Sequence, residues 1–223
     1  MDRAKQPERM ADFFDARSDG YDDHMRRSIS DFDAFYESIA SPIPRTNRPI
    51  RVLDIGGGTG LELDSVLARA PHAWITVIDL SGGMLARLRD RHHERLDQLT
   101  LVQGSYLEIP FGESAYEHAI AVMTLHHLLP ATRRRLYQRI RRALKSRGTY
   151  IEGDWVVSGP EERAYRSHRR GMGGSVDGWA DGRYHVDIPL TIESVTALLL
   201  EAGFSTVKTL WQGEGTALVA ACH

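Results

Sequence analysis

Arg51 to Gly60, RVLDIGGGTG, is the stretch whose reading decides the fold. Val52, Leu53 and Ile55 suit a buried parallel strand, and the spaced glycines after them let the backbone turn sharply into a helix opened by Leu61. A ligand belongs at such a turn. Gly56, Gly58 and Gly60 carry no Cβ, so an extended small molecule can lie against the main chain, and Asp54 offers a carboxylate at the strand's end. Nicotinamide enzymes hold a pyrophosphate at a similar turn, but their glycines follow G-x-G-x-x-G, whereas the spacing here is D-x-G-x-G-x-G. An acid before the first glycine repels a pyrophosphate and welcomes a cationic amine.

The chain around this stretch has 223 residues, a formal charge of −2 and 42% apolar residues. That composition predicts one domain over 1–223 with one substantial core, and argues against nucleic acid or an acidic membrane as partner. The opening MDRAKQPERMADFF has no apolar signal region and no later run is long enough to span a membrane, so a cytoplasmic location is expected. Cys222 is the only cysteine, which rules out an internal disulfide and argues against a thiolate metal site. For the oligomeric state, monomer and homodimer both stay open.

Upstream of the glycine turn, Tyr21, Met25, Ile29, Phe32, Phe35, Tyr36 and Ile39 fall at helical spacing, predicting one helix within an N-terminal helical lid over 1–45, with Tyr21 or His24 facing the ligand. Downstream, Trp74 to Ile78 reads as a second buried strand ending in Asp79, where a βαβ unit places an acid that accepts from ribose hydroxyls. Ser81 is a candidate N-cap for a helix carrying Met84, Leu85 and Leu88. A third strand, Leu99 to Val102, leads to the turn Gly104, Ser105 and Tyr106. A fourth, Ala119 to Leu125, leads to His126 and His127. Adjacent histidines rarely chelate one ion and no cysteine or H-x-x-x-H partner stands nearby, so no metal is expected.

Arg133 to Arg147 reads as a helix whose arginines form either a solvated face or a surface for RNA or an anionic substrate. Thr149 to Val157 is a fifth strand, with Asp154 and Trp155 near its end. Residues 158–190 interrupt the alternation of strand and helix with a short helix, Glu161 to Arg170, and a glycine-rich run in which Trp179, Arg183, Tyr184 and His185 could line a cap over an acceptor. Thr191 to Ala202 is the last helix, followed by two strands, Ser205 to Trp211 and Thr216 to Ala221, joined closely enough for a hairpin. The fold class expected is α/β: a Rossmann-like, seven-stranded, mostly parallel sheet with a C-terminal antiparallel hairpin and helices on both faces.

Taken together, VLDIGGGTG, VIDLSGGML, GSYLEIPF and MTLHHL, in this order and ending in that hairpin, resemble the first four motifs of the class I S-adenosylmethionine-dependent methyltransferases. The resemblance covers nearly the whole chain. It implies S-adenosylmethionine as the cofactor and S-adenosylhomocysteine as its product. Asp54, Gly56, Gly58 and Gly60 would hold the methionine end and Asp79 the ribose, with Leu80 and Met84 flanking the adenine. Thr124 would lie beneath the sulfonium, and Tyr21 would face the cofactor from the lid. Many relatives carry an acid where this chain has Ser105; a serine oxygen can still accept from the adenine amine, with Tyr106 available to stack.

The activity expected is methyl transfer to a small-molecule acceptor. His126, His185 and Asp154 are the candidate bases, within reach if the acceptor is a hydroxyl or a protonated amine. Neither an N-P-P-Y-like tetrapeptide nor a Pro-Cys pair is present to mark an amide, adenine or cytosine acceptor. The alternatives are tRNA or protein methylation through the 133–147 face, or cofactor binding without turnover.

Overall fold

The computed structural model describes residues 8–171 and 182–222; residues 172–181, with Trp179, lie outside the described residues. Seven strands form one sheet: β1 (Arg51–Ile55), β2 (Trp74–Asp79), β3 (Leu99–Gln103), β4 (Tyr116–Val122), β5 (Leu144–Trp155), β6 (Thr206–Gln212) and β7 (Thr216–Cys222). Their spatial order is β3-β2-β1-β4-β5-β7-β6. The first five run parallel, and β7 pairs antiparallel with both β5 and β6, so the expected mostly parallel sheet with a closing hairpin is present.

Helices cover both faces because successive strand residues point to opposite sides. Val52, Ile75, Val77, Ile120 and Val122 meet one helical layer: α2 (Tyr21–Ser28), α3 (Phe32–Ile39), α4 (Leu63–Arg69) and α5 (Gly82–Arg91). Leu53, Ile55, Ala119, Ala121 and Val219 meet α6 (Pro130–Ala143) and α8 (Ile192–Glu201). Two further helices, α1 (Met10–Asp15) and α7 (Gly159–Gly171), flank the carboxyl rim of the sheet. Strand order reverses between β1 and β4, and at such a switch point the two connections leave in opposite directions and open a crevice outside the strand ends.

Several boundaries differ from the sequence reading: β4 covers Tyr116–Val122 rather than Ala119 to Leu125, because the chain turns at Met123 and Leu125 opens a 3₁₀ turn, and two further differences bear on the site. The single helix expected over Tyr21 to Ile39 is split into α2 and α3, because Ile29 is extended and Asp31 adopts a left-handed φ of 54°. Asp tolerates that conformation better than most residues, and the apolar stripe continues across the break, so periodicity alone conceals it. The parts also serve different ends. Phe35 and Ile39 on α3 are fully buried in the core, while α1 and α2 line the crevice. On the other side, β5 begins at Leu144 rather than Thr149: Leu144 is buried and pairs with Tyr116, so the sheet claims a residue that fits the helical stripe equally well.

Candidate active site

The glycine turn is shaped by contacts that only glycine permits. Gly56 and Gly60 have φ of +68° and +74°, and a Cβ on Gly56 would sit 2.3 Å from Thr124 Oγ1 at the end of β4. Beneath the turn, Asp54 and Glu62 are buried carboxylates facing one another, and neither oxygen of Asp54 receives an N–H or O–H donor. Burial, and then Glu62, push the Asp54 carboxyl well above the usual carboxylate range. Burial raises Glu62 to about 7. Two acids with unspent acceptor capacity beside a glycine turn fit a cationic amine.

Asp79 closes the next strand. Its Oδ2 accepts from Gly58 N at 2.8 Å and its Oδ1 from Ser81 N at 2.8 Å. Burial lifts it to about 6 even so. Ser81 caps α5, its Oγ accepting from Met84 N at 3.0 Å. Asp79, Leu80, Ser105, Tyr106 and Thr124 line a narrow pocket with Gly56, pinched by Met10 and Phe14 from α1. Ser105 Oγ accepts from Leu107 N at 3.2 Å, and Tyr106 and Thr124 share a hydroxyl contact at 3.4 Å. Met84, by contrast, is fully buried on α5 and lines neither this pocket nor the larger cleft beside it.

The N-terminal segment latches onto this half. Asp15 Oδ1 accepts from Ser81 Oγ at 2.5 Å and Gly83 N at 2.9 Å, while Asp19 pairs with Arg87 and Asp22 with Arg91. Asp22 Oδ1 also accepts from Thr59 Oγ1 within the glycine turn at 2.6 Å.

The larger cleft, about 740 Å³, opens beside Tyr21, which faces Gly58. Its walls are aromatic, with Phe13, Phe14 and Trp155, and it is edged by Arg17, His24 and Glu214. At its floor, Met123 holds a left-handed φ of 49° at the end of β4, turning the chain into one 3₁₀ turn that presents His126 and His127. His126 Nδ1 lies 2.6 Å from Asp154 Oδ1; a carboxylate can only accept, so Nδ1 donates and Nε2 is left for the cleft. Asp154 is itself 2% exposed, so it touches the cleft only through His126. Burial alone would raise Asp154, but the His126 ring and Arg133 hold it below the usual range.

A strut of buried polar groups fixes Asp154. Arg133 pairs with Glu152 and lies 3.4 Å from Asp154 Oδ2, and its Nε donates to Tyr137 Oη at 2.6 Å. Tyr137 and Tyr150 both donate to Glu152 Oε2 at 2.7 Å. The expected solvated arginine face of α6 is therefore corrected at two positions. Arg133 is fully buried, and Arg139 donates to the carbonyls of Tyr106, Leu107 and Ile109.

The segment after residue 182 covers the cleft by pairing with the N-terminal segment: Arg9 and Tyr184 form an antiparallel bridge, and His185 N donates to Glu8 O at 2.9 Å. His185 stacks on Phe13 at 3.5 Å between ring centres, and burial lowers its pKa. Asp187 Oδ1 reaches within 3.2 Å of His127 Nδ1. Burial, then the neighbouring His126, depress His127 to about 4. Sequence spacing missed Asp187 as a partner for the histidine pair because it arrives some sixty residues later, carried back by the lid. It also missed Glu62, whose only signal is an acid between two leucines just past Gly60.

A family model described as "Methyltransferase domain" matches residues 52–148. A carboxy-S-adenosyl-L-methionine synthase from Wolinella succinogenes is 30% identical over 216 residues, covering 89% of this chain and 88% of that protein. The chain belongs to the class I S-adenosylmethionine-dependent methyltransferases. A malonyl-acyl-carrier-protein O-methyltransferase from Geobacter sulfurreducens is 27% identical, covering 74% of this methyltransferase but only 60% of the Geobacter chain. Among solved structures, the DhpI–SAH complex superposes with a TM-score of 0.69 at 16% identity, covering 95% of this chain and 94% of that one. Human N-acetylserotonin methyltransferase in complex with SAM gives 0.63 at 17% identity, covering 96% of this chain and 55% of its own. At those identities the likeness concerns the fold. The cofactor is S-adenosylmethionine, as in the family. Among the described residues, no helix is long and apolar enough to cross a membrane.

Proposed function

We propose that this methyltransferase moves the methyl group of S-adenosylmethionine to a small-molecule acceptor held in the aromatic cleft between the 3₁₀ turn and the lid. One observation carries the reading: a cleft of about 740 Å³ adjoins the glycine turn and ends on His126, whose Nδ1 is fixed by Asp154. Its size and its partial cover by α1 suit a compact molecule better than a polymer, and the engagement of Arg133 and Arg139 in the interior weakens the case for an RNA face on α6.

In this reading Asp54 and Glu62 would hold the cofactor's ammonium beside the turn of Gly56, Gly58 and Gly60. Asp79 would accept from the ribose hydroxyls. Leu80, Ser105 and Tyr106 bound the adenine side, and Thr124 and Tyr21 bound the sulfonium. Met84 contributes packing only. The bound cofactor supplies a methyl already activated by its sulfonium. The chain's own work is then to align the acceptor, exclude water and take up a proton. His126 Nε2 is the proton acceptor, Asp154 is a positioning residue acting through Nδ1, and His185 lies on the lid as a second basic group. The names of the Geobacter and human proteins, both methyltransferases acting on defined acceptors, lend support.

A second reading rests on the Wolinella relative, which aligns along 89% of the chain and is named for building a carboxylated form of the cofactor. Mass spectrometry of reactions with labelled cofactor and a metabolite panel separates the two. Labelled methyl on an acceptor together with S-adenosylhomocysteine supports methyl transfer to a small molecule, whereas a carboxylated cofactor supports the second reading. Label found only on tRNA or protein would overturn both.

A further inference from the structure

We propose that His126, His127 and Asp187 form a divalent-metal site, two imidazoles and one carboxylate, at the floor of the acceptor cleft, suited to a zinc-like first-row ion. One nitrogen of each histidine and a carboxylate oxygen of Asp187 lie within 4.8 Å of one another. A ring nitrogen about 2.1 Å from an ion places neighbouring ligands roughly 3.3 Å apart, and the 3.2 Å between His127 Nδ1 and Asp187 Oδ1 already has that spacing. The widest separation needs to close by about 1 to 1.5 Å on binding, within the reach of a half-exposed aspartate on the lid segment.

Two independent observations point to an ion rather than to a chance cluster. His127 is 3% exposed and its Nδ1 faces Asp187 Oδ1 at 3.2 Å as an ion pair without well-formed hydrogen-bond geometry, so both ligand atoms point to the same side, where an ion could sit beside them. A buried imidazole nitrogen is rarely left without a well-formed partner, and an ion beside the pair would supply one. Second, His126 has the support that metal-bound histidines have: its Nδ1 donates to Asp154, which orients Nε2, and Asp154 is itself held by Arg133 and by Trp155 N at 2.9 Å. The third ligand is tied to the same turn, because Ile188 N donates to the His126 carbonyl at 2.5 Å, anchoring the residue after Asp187.

The donor set is imidazole-rich and lacks thiolate, which selects a zinc-, cobalt- or iron-type ion over magnesium or calcium. Three protein ligands leave coordination positions facing the cleft, where an acceptor oxygen could bind with its acidity raised by the ion and release its proton to water in the open cleft. In that state His126 is a ligand and not a base. The inference rests on the reading of the cleft as the acceptor site for the role of the ion, though not for its binding.

The test uses full-length protein stripped with chelator. Titration with Zn²⁺ by calorimetry, and with Co²⁺ by visible absorption, is expected to give one-to-one binding and the visible bands of a low-coordinate cobalt site. Affinity should fall at least tenfold in His127→Ala and in Asp187→Asn, and ten- to a hundredfold in Asp154→Asn, the usual range for loss of an orienting partner. Asp187→Asn should bind S-adenosylmethionine normally, which guards against loss of fold. No saturable binding at millimolar Co²⁺, or equal binding in wild type and both ligand variants, overturns the site. If the ion binds but no small molecule is methylated, the acceptor reading fails and the site stands. If stripped protein methylates a small molecule at the metal-loaded rate and binds no Co²⁺, the reverse holds.

Discussion

The cofactor half of the crevice and the acceptor half are built from different materials. On the proposed cofactor side most groups come from one βαβ stretch, Asp54 through Ser81, joined by Ser105, Tyr106 and Thr124 from the next two strand ends, and much of the surface is backbone: glycines with positive φ, the Gly58 and Ser81 amides held by Asp79, and an α5 N-terminus capped by Ser81. On the acceptor side every functional group is a side chain delivered from afar. His126 comes from the turn after β4, Asp154 from β5, His185 and Asp187 from the segment after residue 182, and Phe13 from the N-terminal segment. Backbone geometry leaves few ways to alter what is bound without rebuilding the turn, whereas converging side chains can be exchanged one at a time. The first half should therefore tolerate little change and bind one molecule, while the second should change its specificity readily.

The sharpest break comes at His126. Replacing it with Ala should lower the turnover number by 10²- to 10⁴-fold while leaving S-adenosylmethionine affinity within about twofold, because the residue touches only the acceptor half; comparable losses in both quantities would erase the division. Arg133→Ala attacks the strut behind that half. Removing one member of a buried ion pair leaves Glu152 and Asp154 uncompensated, and a loss of about 3–5 kcal/mol in unfolding free energy is expected from denaturant titration. An exposed arginine would cost almost nothing by the same measurement.

On the cofactor side, Asp79→Ala removes a charged acceptor of the Gly58 and Ser81 amides as well as the proposed ribose contact, so cofactor affinity by calorimetry should fall by about 100-fold or more. Unchanged affinity would remove the residue from the site. The smallest effect is one of pH. Glu62 sits near 7 and Asp54 is raised well above its ordinary value, so the folded protein without cofactor holds protons that an ammonium must displace. Binding then releases protons, and affinity should rise as pH increases through about 7, by no more than tenfold per unit for each proton released. Glu62→Gln should flatten that profile. The sign for folding is opposite: a carboxyl raised in the folded state stabilises it below about 7 and ceases to do so as pH rises through that value, so the cofactor-free protein should melt lower at pH 8 than at pH 6.

The same contrast explains what the sequence made legible. Strand runs, the glycine turn, the acid at Asp79 and the N-cap at Ser81 are local patterns, and local pattern is what the cofactor half consists of. The Asp154–His126 pair was legible only as two candidates at successive strand ends, because a parallel sheet brings such ends to one rim without showing which side chains meet. Arg133 was misread because one helical turn of arginines gives no sign that one of them lies i−4 to a buried tyrosine and opposite a strand bearing Glu152. Asp187 and Glu62 have no periodic signal at all; each acquires meaning only from what folds against it.

One feature of the lid bears on the timing of catalysis. Arg9 and Tyr184 join in an isolated antiparallel bridge beside the cleft, while Asp15, Asp19 and Asp22 of the same segment grip α5 and the glycine turn. Phe14 lines both pockets, so in the proposed reading the segment that carries it would act as a doorway to cofactor and acceptor alike. Such a doorway favours an ordered cycle in which chemistry waits on exit. Rapid-mixing experiments should then show a burst of methylated product in the first turnover followed by a slower steady rate; a linear onset would move the slow step back to methyl transfer. The latch would in that case act as the enzyme's clock, set by a few aspartates far from the reacting carbon.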